Sequence, residues 1–169
     1  HVGGLGGGRF GGTVENAFWV QASTGQSRGF PINAGTRITT TALAMRQASY
    51  QTQAASLDFA NDWVLYADST TPLLRAFLTP LTVTANDVTR TYDGSSWSGG
   101  AGLSSAVPVD PALLLGTPVW GGTAQGARDA GQYTLTASGL WSTQQGYLIS
   151  YAPGRLTIDP KALDVTGVA

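Results

Sequence analysis

Asp129-Ala130-Gly131-Gln132-Tyr133-Thr134-Leu135-Thr136-Ala137, followed after a short loop by Tyr147-Leu148-Ile149-Ser150-Tyr151, is the stretch on which the fold turns. Side chains alternate along a strand with a period of two, so Tyr133, Leu135 and Ala137 share one face and Thr134 and Thr136 the other. Asp129 to Gln132 reads as the turn before this strand, and Gly139 and Gly146 bracket the loop after it. Pro153-Gly154 reads as a tight turn into a third alternating run, Arg155-Leu156-Thr157-Ile158-Asp159. Strands in such quick succession predict a meander of hairpins in an all-β or mostly β domain.

The same pattern extends upstream. Leu81 and Val83 alternate with Thr82 and Thr84, and Tyr92-Asp93-Gly94 ends that region with a strong turn dipeptide. Gly99-Gly100-Ala101-Gly102 is a flexible bend. Asp110 as N-cap with Pro111 at the first helical position predicts a single helical turn through Leu115, and Val119-Trp120 starts another strand. Before Thr79-Pro80 lie the strand-like Trp63-Val64-Leu65-Tyr66 and the apolar run Leu73 to Leu78. The one helix is predicted at about 41–53, where Ala, Leu, Met, Arg and Gln dominate behind three threonines that can cap it. Seven of residues 1–12 are glycine, and each glycine costs a helix about 1 kcal/mol relative to alanine. Thr13 to Val20 reads as a strand, and Gln21 to Thr36 as a loop.

Composition bounds the function. The 169 residues carry 9 Lys+Arg and 10 Asp+Glu, and this near-zero net charge offers no electrostatic case for nucleic acid or an anionic membrane surface. Only 11 % of residues are charged, against about 25 % in ordinary soluble domains, and the 23 glycines are roughly twice average usage. The absence of cysteine excludes thiolate metal sites, thiol catalysis and disulfides. It also suits a chain exported unfolded through a narrow pore. No apolar run approaches the roughly 18 residues of a membrane span.

Pro80-Leu81-Thr82-Val83-Thr84 has an echo in Leu163-Asp164-Val165-Thr166, which follows Pro160. A repeat of this length predicts tandem modules. The chain is accordingly divided into a Gly-rich β region over 1–79 that holds the short helix, a module over 80–160, and the start of a next repeat over 161–169.

Taken together, Leu81 to Ala85, Thr91-Tyr92-Asp93-Gly94, Asp129 to Leu135, Ser138-Gly139-Leu140, Gln145-Gly146-Tyr147 and Tyr151 to Ile158 resemble the MBG/YDG repeat, a mostly β, grasp-like module of large bacterial surface proteins. Upstream, Gly11 to Trp19 and Thr24-Gly25-Gln26 are similar to the tail of a GLUG-type repeat region, though without its usual Gly-x-Asn-x-Gly stretch. The resemblance implies a β-grasp-like module behind a solenoid-end-like Gly-rich part. It further implies a filamentous-haemagglutinin-like adhesin exported by two-partner secretion to the surface of a Gram-negative bacterium. Such a protein serves attachment, aggregation or biofilm scaffolding. Its partners would be host-cell or matrix glycans, other copies of the adhesin, and a dedicated outer-membrane transporter. The resemblance carries no catalytic residue. Its signature positions here are Tyr92, Asp93, Gly94, Asp129, Gly131, Tyr133 and Gly154, expected in turns and packing.

Other chemistries are weighed against plainer structural readings. Gly6 to Gly11 fits Gly-x-Gly-x-x-Gly but lacks the preceding strand and following helix that a dinucleotide loop needs. Serine and threonine nucleophiles lack a base, because the one histidine is His1 and the one lysine, Lys161, sits in the echo segment. Asp58 and Asp62 are a conceivable acid/base pair, yet Asp93, Asp110 and Asp129 stand where turns and caps want aspartate. No enzyme is expected. Nine aspartates against one glutamate raise calcium, but without an Asp-x-Asp-x-Asp-Gly run they read as turn formers, and no cofactor is expected. Trp97, flanked by serines and glycine, is the tryptophan whose neighbours do not predict burial, and the candidate for gripping a glycan. Finally, Asp129-Ala130-Gly131-Gln132-Tyr133 also resembles the approach to a tyrosine corner, which keeps an Ig-like sandwich open as the alternative fold.

Overall fold

A computed structural model of the chain describes residues 18–20, 25, 38–40, 45–54, 57–162 and 167. The chain divides into two compact units, residues 1–77 and 78–169. The GLUG-like resemblance before Phe18, the glycine segment 1–12 and the echo at 163–166 lie outside the described residues.

In the first unit, β1 (Phe18–Val20) runs parallel to β2 (Ile38–Thr40). Of the helix predicted at about 41–53, residues 41–44 lie outside the described residues, Met45 and Arg46 are helical, and after a break at 47–49 comes one further turn, α1 (Tyr50–Gln53). A helix of that length needs an apolar face to anchor it, because nucleation is costly and propensity alone is marginal. Residues 46–49 are exposed, and among the described residues of this segment Tyr50 and Ala54 are the buried ones, so packing anchors the turn at 50–53. Those two join Leu65 in a small core edged by Met45, Leu57 and Phe59. A short ladder follows, β3 (Trp63–Val64) antiparallel to β4 (Leu73–Leu74), and then a 3₁₀ turn at Arg75–Phe77 whose Phe77 is 65 % exposed.

The second unit consists of β5 (Thr79–Ala85), β6 (Val88–Thr91), β7 (Leu103–Ser105), β8 (Leu115–Gly121), β9 (Gly131–Trp141), β10 (Tyr147–Ala152) and β11 (Gly154–Asp159). They form two sheets, one ordered β10-β5-β7 and the other β6-β11-β9-β8. The expected alternation is present in burial: Leu81, Val83 and Ala85 are buried while Thr82 is exposed, and Leu135 and Ala137 are buried while Thr134 and Thr136 are exposed.

The meander of hairpins is corrected by the pairing. β10 runs parallel to β5, from Tyr147 opposite Thr79 to Ala152 opposite Thr84. β11 runs parallel to β6, from Leu156 opposite Val88 to Asp159 opposite Thr91. Pro153-Gly154 therefore reverses nothing; the chain continues in the same sense and steps from one sheet to the other. Proline has no N–H to extend the first ladder. Gly154 is outside the left-handed region that a primed hairpin turn demands. Its role is close approach, since a Cβ there would overlap the Ala85 carbonyl. Two parallel pairs also decide against the Ig-like alternative, whose sheets are antiparallel.

β9 serves both cores by changing phase. Up to Ala137 its buried residues belong to a cluster of Ala85, Ala124, Ala127, Leu135, Ala137, Leu156 and Ile158. Three positions later, Leu140 belongs to a second cluster with Leu81, Val83 and Tyr147. The break is a bulge, where the register to β8 shifts between Gly116 and Val119 and Gly139 sits at φ +85°. A bulge re-aims the side chains that follow it, so one strand can line both clusters.

Candidate functional site

The signature residues gather around β11. Its partner Arg90 on β6 lies opposite Ile158, and Gly131 on β9 lies opposite Ile158 from the other side. The Tyr92-Asp93-Gly94 turn and the Asp129-to-Tyr133 corner therefore occupy the same end of the four-stranded sheet, flanking β11, while Gly154 lies at its opposite end.

At the first of these, Gly94 takes φ +78°, a left-handed conformation that glycine adopts without penalty. Asp93 Oδ1 accepts from the Ser95 N–H at 2.9 Å, the Ser95 hydroxyl at 2.7 Å and Arg90 Nη2 at 2.6 Å. The Ser95 hydrogen bonds, and after them the Arg90 charge, hold the Asp93 carboxyl below its ordinary range. Arg90 also donates to the Ser95 carbonyl at 2.6 Å and lies 5.9 Å from the centre of the Trp97 ring. Tyr92 is half-buried against the core, and its N–H donates to the Asp159 carbonyl at 2.8 Å.

Trp97, the candidate for a glycan contact, is half-buried and packs against the core cluster. Its indole N–H donates to the Gly99 carbonyl at 3.1 Å. Its backbone exchanges bonds with Gly126 and Ala127, both at 2.8 Å. Next to it the Gln125 amide closes a two-way bond with Gly99, accepting at 2.9 Å and donating at 2.9 Å, much as a strand neighbour would. Trp120 lies against Gly100, where a Cβ would overlap its ring. Trp63, Trp120 and Trp141 are also half-buried.

The Asp129 segment forms the corner that its spacing suggested. The Tyr133 hydroxyl donates to the Asp129 carbonyl at 2.9 Å, and the tyrosine ring packs over Gly131. The motif is thus present without the Ig-like fold in which it is familiar. Asp110 caps as expected, accepting from the Ala112 N–H at 2.9 Å, and its carbonyl receives the N–H groups of Leu113 and Leu114. In the first unit the Asp58 carboxylate, one member of the conceivable acid/base pair, is engaged by its own turn. Asp58 accepts from the Ala60 and Asn61 N–H groups at 2.9 and 3.0 Å and from the Asn61 amide at 2.8 Å, and the Asn61 bonds lower its pKa. Among the described residues no three His, Asp or Glu side chains gather where a metal ion could be held.

A surface groove of about 590 Å³ lies beside the sheet-crossing corner, lined by Asp87, Gln132, Tyr133, Thr134, Pro153, Gly154 and Arg155. Two of its polar groups are already committed. The Asp87 carboxylate receives the Arg155 N–H at 2.7 Å, and the Tyr133 hydroxyl is held by Asp129.

Sequence reasoning missed Asp87, Arg90 and Ser142. Ser142 is fully buried; its hydroxyl donates to the Leu113 carbonyl and accepts from the Tyr147 N–H at 2.9 Å, tying the 110–114 turn to β10. Asp87 and Ser142 bond partners remote in the chain, Arg155 and Leu113, which no local signal marks, whereas Arg90 bonds Asp93 and Ser95 within its own segment, at a spacing of three and five residues.

Residues 81–157 match the family model of the MBG domain, YGX type. This segment is an MBG domain. Among solved structures, a cell surface adhesin from Lactobacillus reuteri is similar, at 21 % identity and a TM-score of 0.33, over 50 % of this chain and 99 % of that one. No curated protein matches the chain. The positions singled out in the sequence have structural roles here: Asp93 and Gly94 make a turn, Asp129, Gly131 and Tyr133 a corner, and Gly154 a close crossing.

Proposed function

We propose that this chain is a non-enzymatic segment of a secreted bacterial surface adhesin, in which the MBG domain spaces and presents a binding surface outside the cell. The observation that carries this reading is the parallel ladder of β5 and β6 with β10 and β11. Because first and last strands run the same way, the chain enters the domain at Thr79 beside Tyr147 and leaves it at Asp159 beside Thr91. These are opposite ends of the ladder. Copies joined in tandem, as the Leu81/Leu163 echo suggests, would then add length rather than fold back. The MBG match and the structural use of the signature residues support the same reading. No described helix is long and apolar enough to cross a membrane.

Small-angle scattering tests it. Extending the chain by a second complete copy of residues 81–160 after Ala162 is expected to lengthen the particle by about one domain. A particle that only thickens would overturn the reading. Export by two-partner secretion, a Gram-negative source and a part in attachment or biofilm belong to the same proposal. Antibody labelling of intact cells that make the parent protein is expected to be positive. A glycan partner at Trp97 is the second reading, favoured by the ring's partial exposure. It requires that Trp97→Ala abolish binding on a glycan array while the domain stays folded.

A further inference from the structure

The ladder has a property that spacing alone does not require. Every pair along it is offset by the same 68 positions, from Thr79 with Tyr147 through Leu156 with Val88 to Asp159 with Thr91, although the strands change sheets halfway. Side chains keep that offset too. The Thr82 and Ser150 hydroxyls are bonded at 3.0 Å, and at the corner, where backbone pairing lapses, Asp87 Oδ1 receives the Arg155 N–H at 2.7 Å. Just past the ladder's ends, the Thr79 N–H donates to the Gly146 carbonyl at 2.9 Å and the Tyr92 N–H to the Asp159 carbonyl at 2.8 Å. The two segments are therefore joined without a gap over a contour of roughly 40 Å, at about 3.3 Å per residue.

We propose that this ladder is a force-bearing clamp. Tension along a chain of such domains would pull segment 79–91 by its N-terminal end and segment 147–159 by its C-terminal end. In parallel neighbours those pulls are opposed and lie along the strands, so the ladder is loaded in shear. Each hydrogen bond is weak alone, worth about 1 kcal/mol net. In shear they share the load and must break nearly together, whereas a ladder pulled apart from one end breaks bond by bond. Forced unfolding follows the unfolding barrier rather than equilibrium stability, so this geometry sets how much tension the domain bears. Asp87 bridges the one place where the ladder would otherwise be interrupted, and Gly154 admits the close crossing there. The clamp rests on the end-to-end reading of the domain for its biological use, while its mechanics can be measured independently.

The chain has no cysteine, so pulling handles can be placed uniquely on the whole 169-residue protein. Thr79→Cys with Lys161→Cys loads the ladder in shear; Thr79→Cys with Gln145→Cys pulls the same ladder open from one end. All three positions are exposed. At one loading rate in a single-molecule instrument, the first pair is expected to rupture at a severalfold higher force, in a single event. Equal forces, or a lower force for the first pair, would overturn the proposal. Adding Asp87→Ala is expected to lower the shear force, and an unchanged force would remove the corner from the clamp. A particle elongated in scattering but with equal rupture forces keeps the spacer and loses the clamp. A compact particle with unequal forces does the reverse.

Discussion

In the first unit, β3 and β4 are two residues each, and Arg75 spans them. Its Nε donates to the Trp63 carbonyl at 2.8 Å, its Nη2 to the Phe59 carbonyl at 3.1 Å, and its backbone N–H to the Asp62 carbonyl at 2.8 Å. In the second unit, the pairing of 79–91 with 147–159 is mainly backbone to backbone, above buried leucines, valine and isoleucine. The difference lies in the supply of alternating apolar residues. Where the chain offers them, strands hold by burial and ladder bonds. Where it does not, a guanidinium and a carboxylate with several donors or acceptors take over the backbone's unmet bonds.

The comparison is broken most severely from within the second core. Leu156→Ala empties a fully buried site beside Leu135 and is expected to cost about 2–5 kcal/mol, lowering the Tm of that unit by roughly 10 °C or more. Calorimetry reads it, and a loss below 1 kcal/mol would mean that the ladder holds without its core. Arg75→Met keeps the aliphatic stem but strands two carbonyls, with an expected cost of about 1.5–3 kcal/mol confined to the first unit. Amide hydrogen exchange should show faster opening near Trp63 with the 79–159 ladder unchanged. Opening in both units would refute the side-chain account. Gly154→Ala drives a methyl into the Ala85 carbonyl and should cost about 1–3 kcal/mol in denaturant titration, even though φ at Gly154 does not forbid alanine.

Smaller effects sharpen the contrast. Tyr133→Phe removes the bond to the Asp129 carbonyl and is expected to lose about 0.5–1.5 kcal/mol, with the strands intact by circular dichroism. The least effect is that of pH. Asp58 and Asp93 have lowered pKa values because Asn61 and Ser95 hydrogen-bond their carboxylates. Their contribution is present above the ordinary carboxylate range and is lost as pH falls through the lowered values. Asp93→Ala should flatten the acid dependence of the second unit alone, and Asp58→Ala that of the first.

Much of this could be read locally. Tyr133 to Ala137 alternates in sequence and in burial, and Asp129-x-Gly-x-Tyr forms its corner in a fold other than the one it is known from. Asp93-Gly94 is a turn in both readings. Within 45–53 the helix is interrupted at 47–49, where exposed side chains give no anchor, a break that helix propensity alone does not mark. Trp97 is flanked by serines and glycine, and its partial cover comes from Arg90 and from core residues remote in the chain.

By itself the sequence determined where strands run, which faces go inward and where the chain must bend, since these depend on residue type and a period of two. Only the tertiary structure decided which strands are neighbours. Backbone donors and acceptors are the same at every residue, so alternation cannot distinguish a hairpin at Pro153-Gly154 from a parallel partner 68 positions away. That choice was made by the burial of Leu81 and Val83 in one cluster and of Leu135, Leu156 and Ile158 in the other, and by the overlap that a side chain at Gly154 would create.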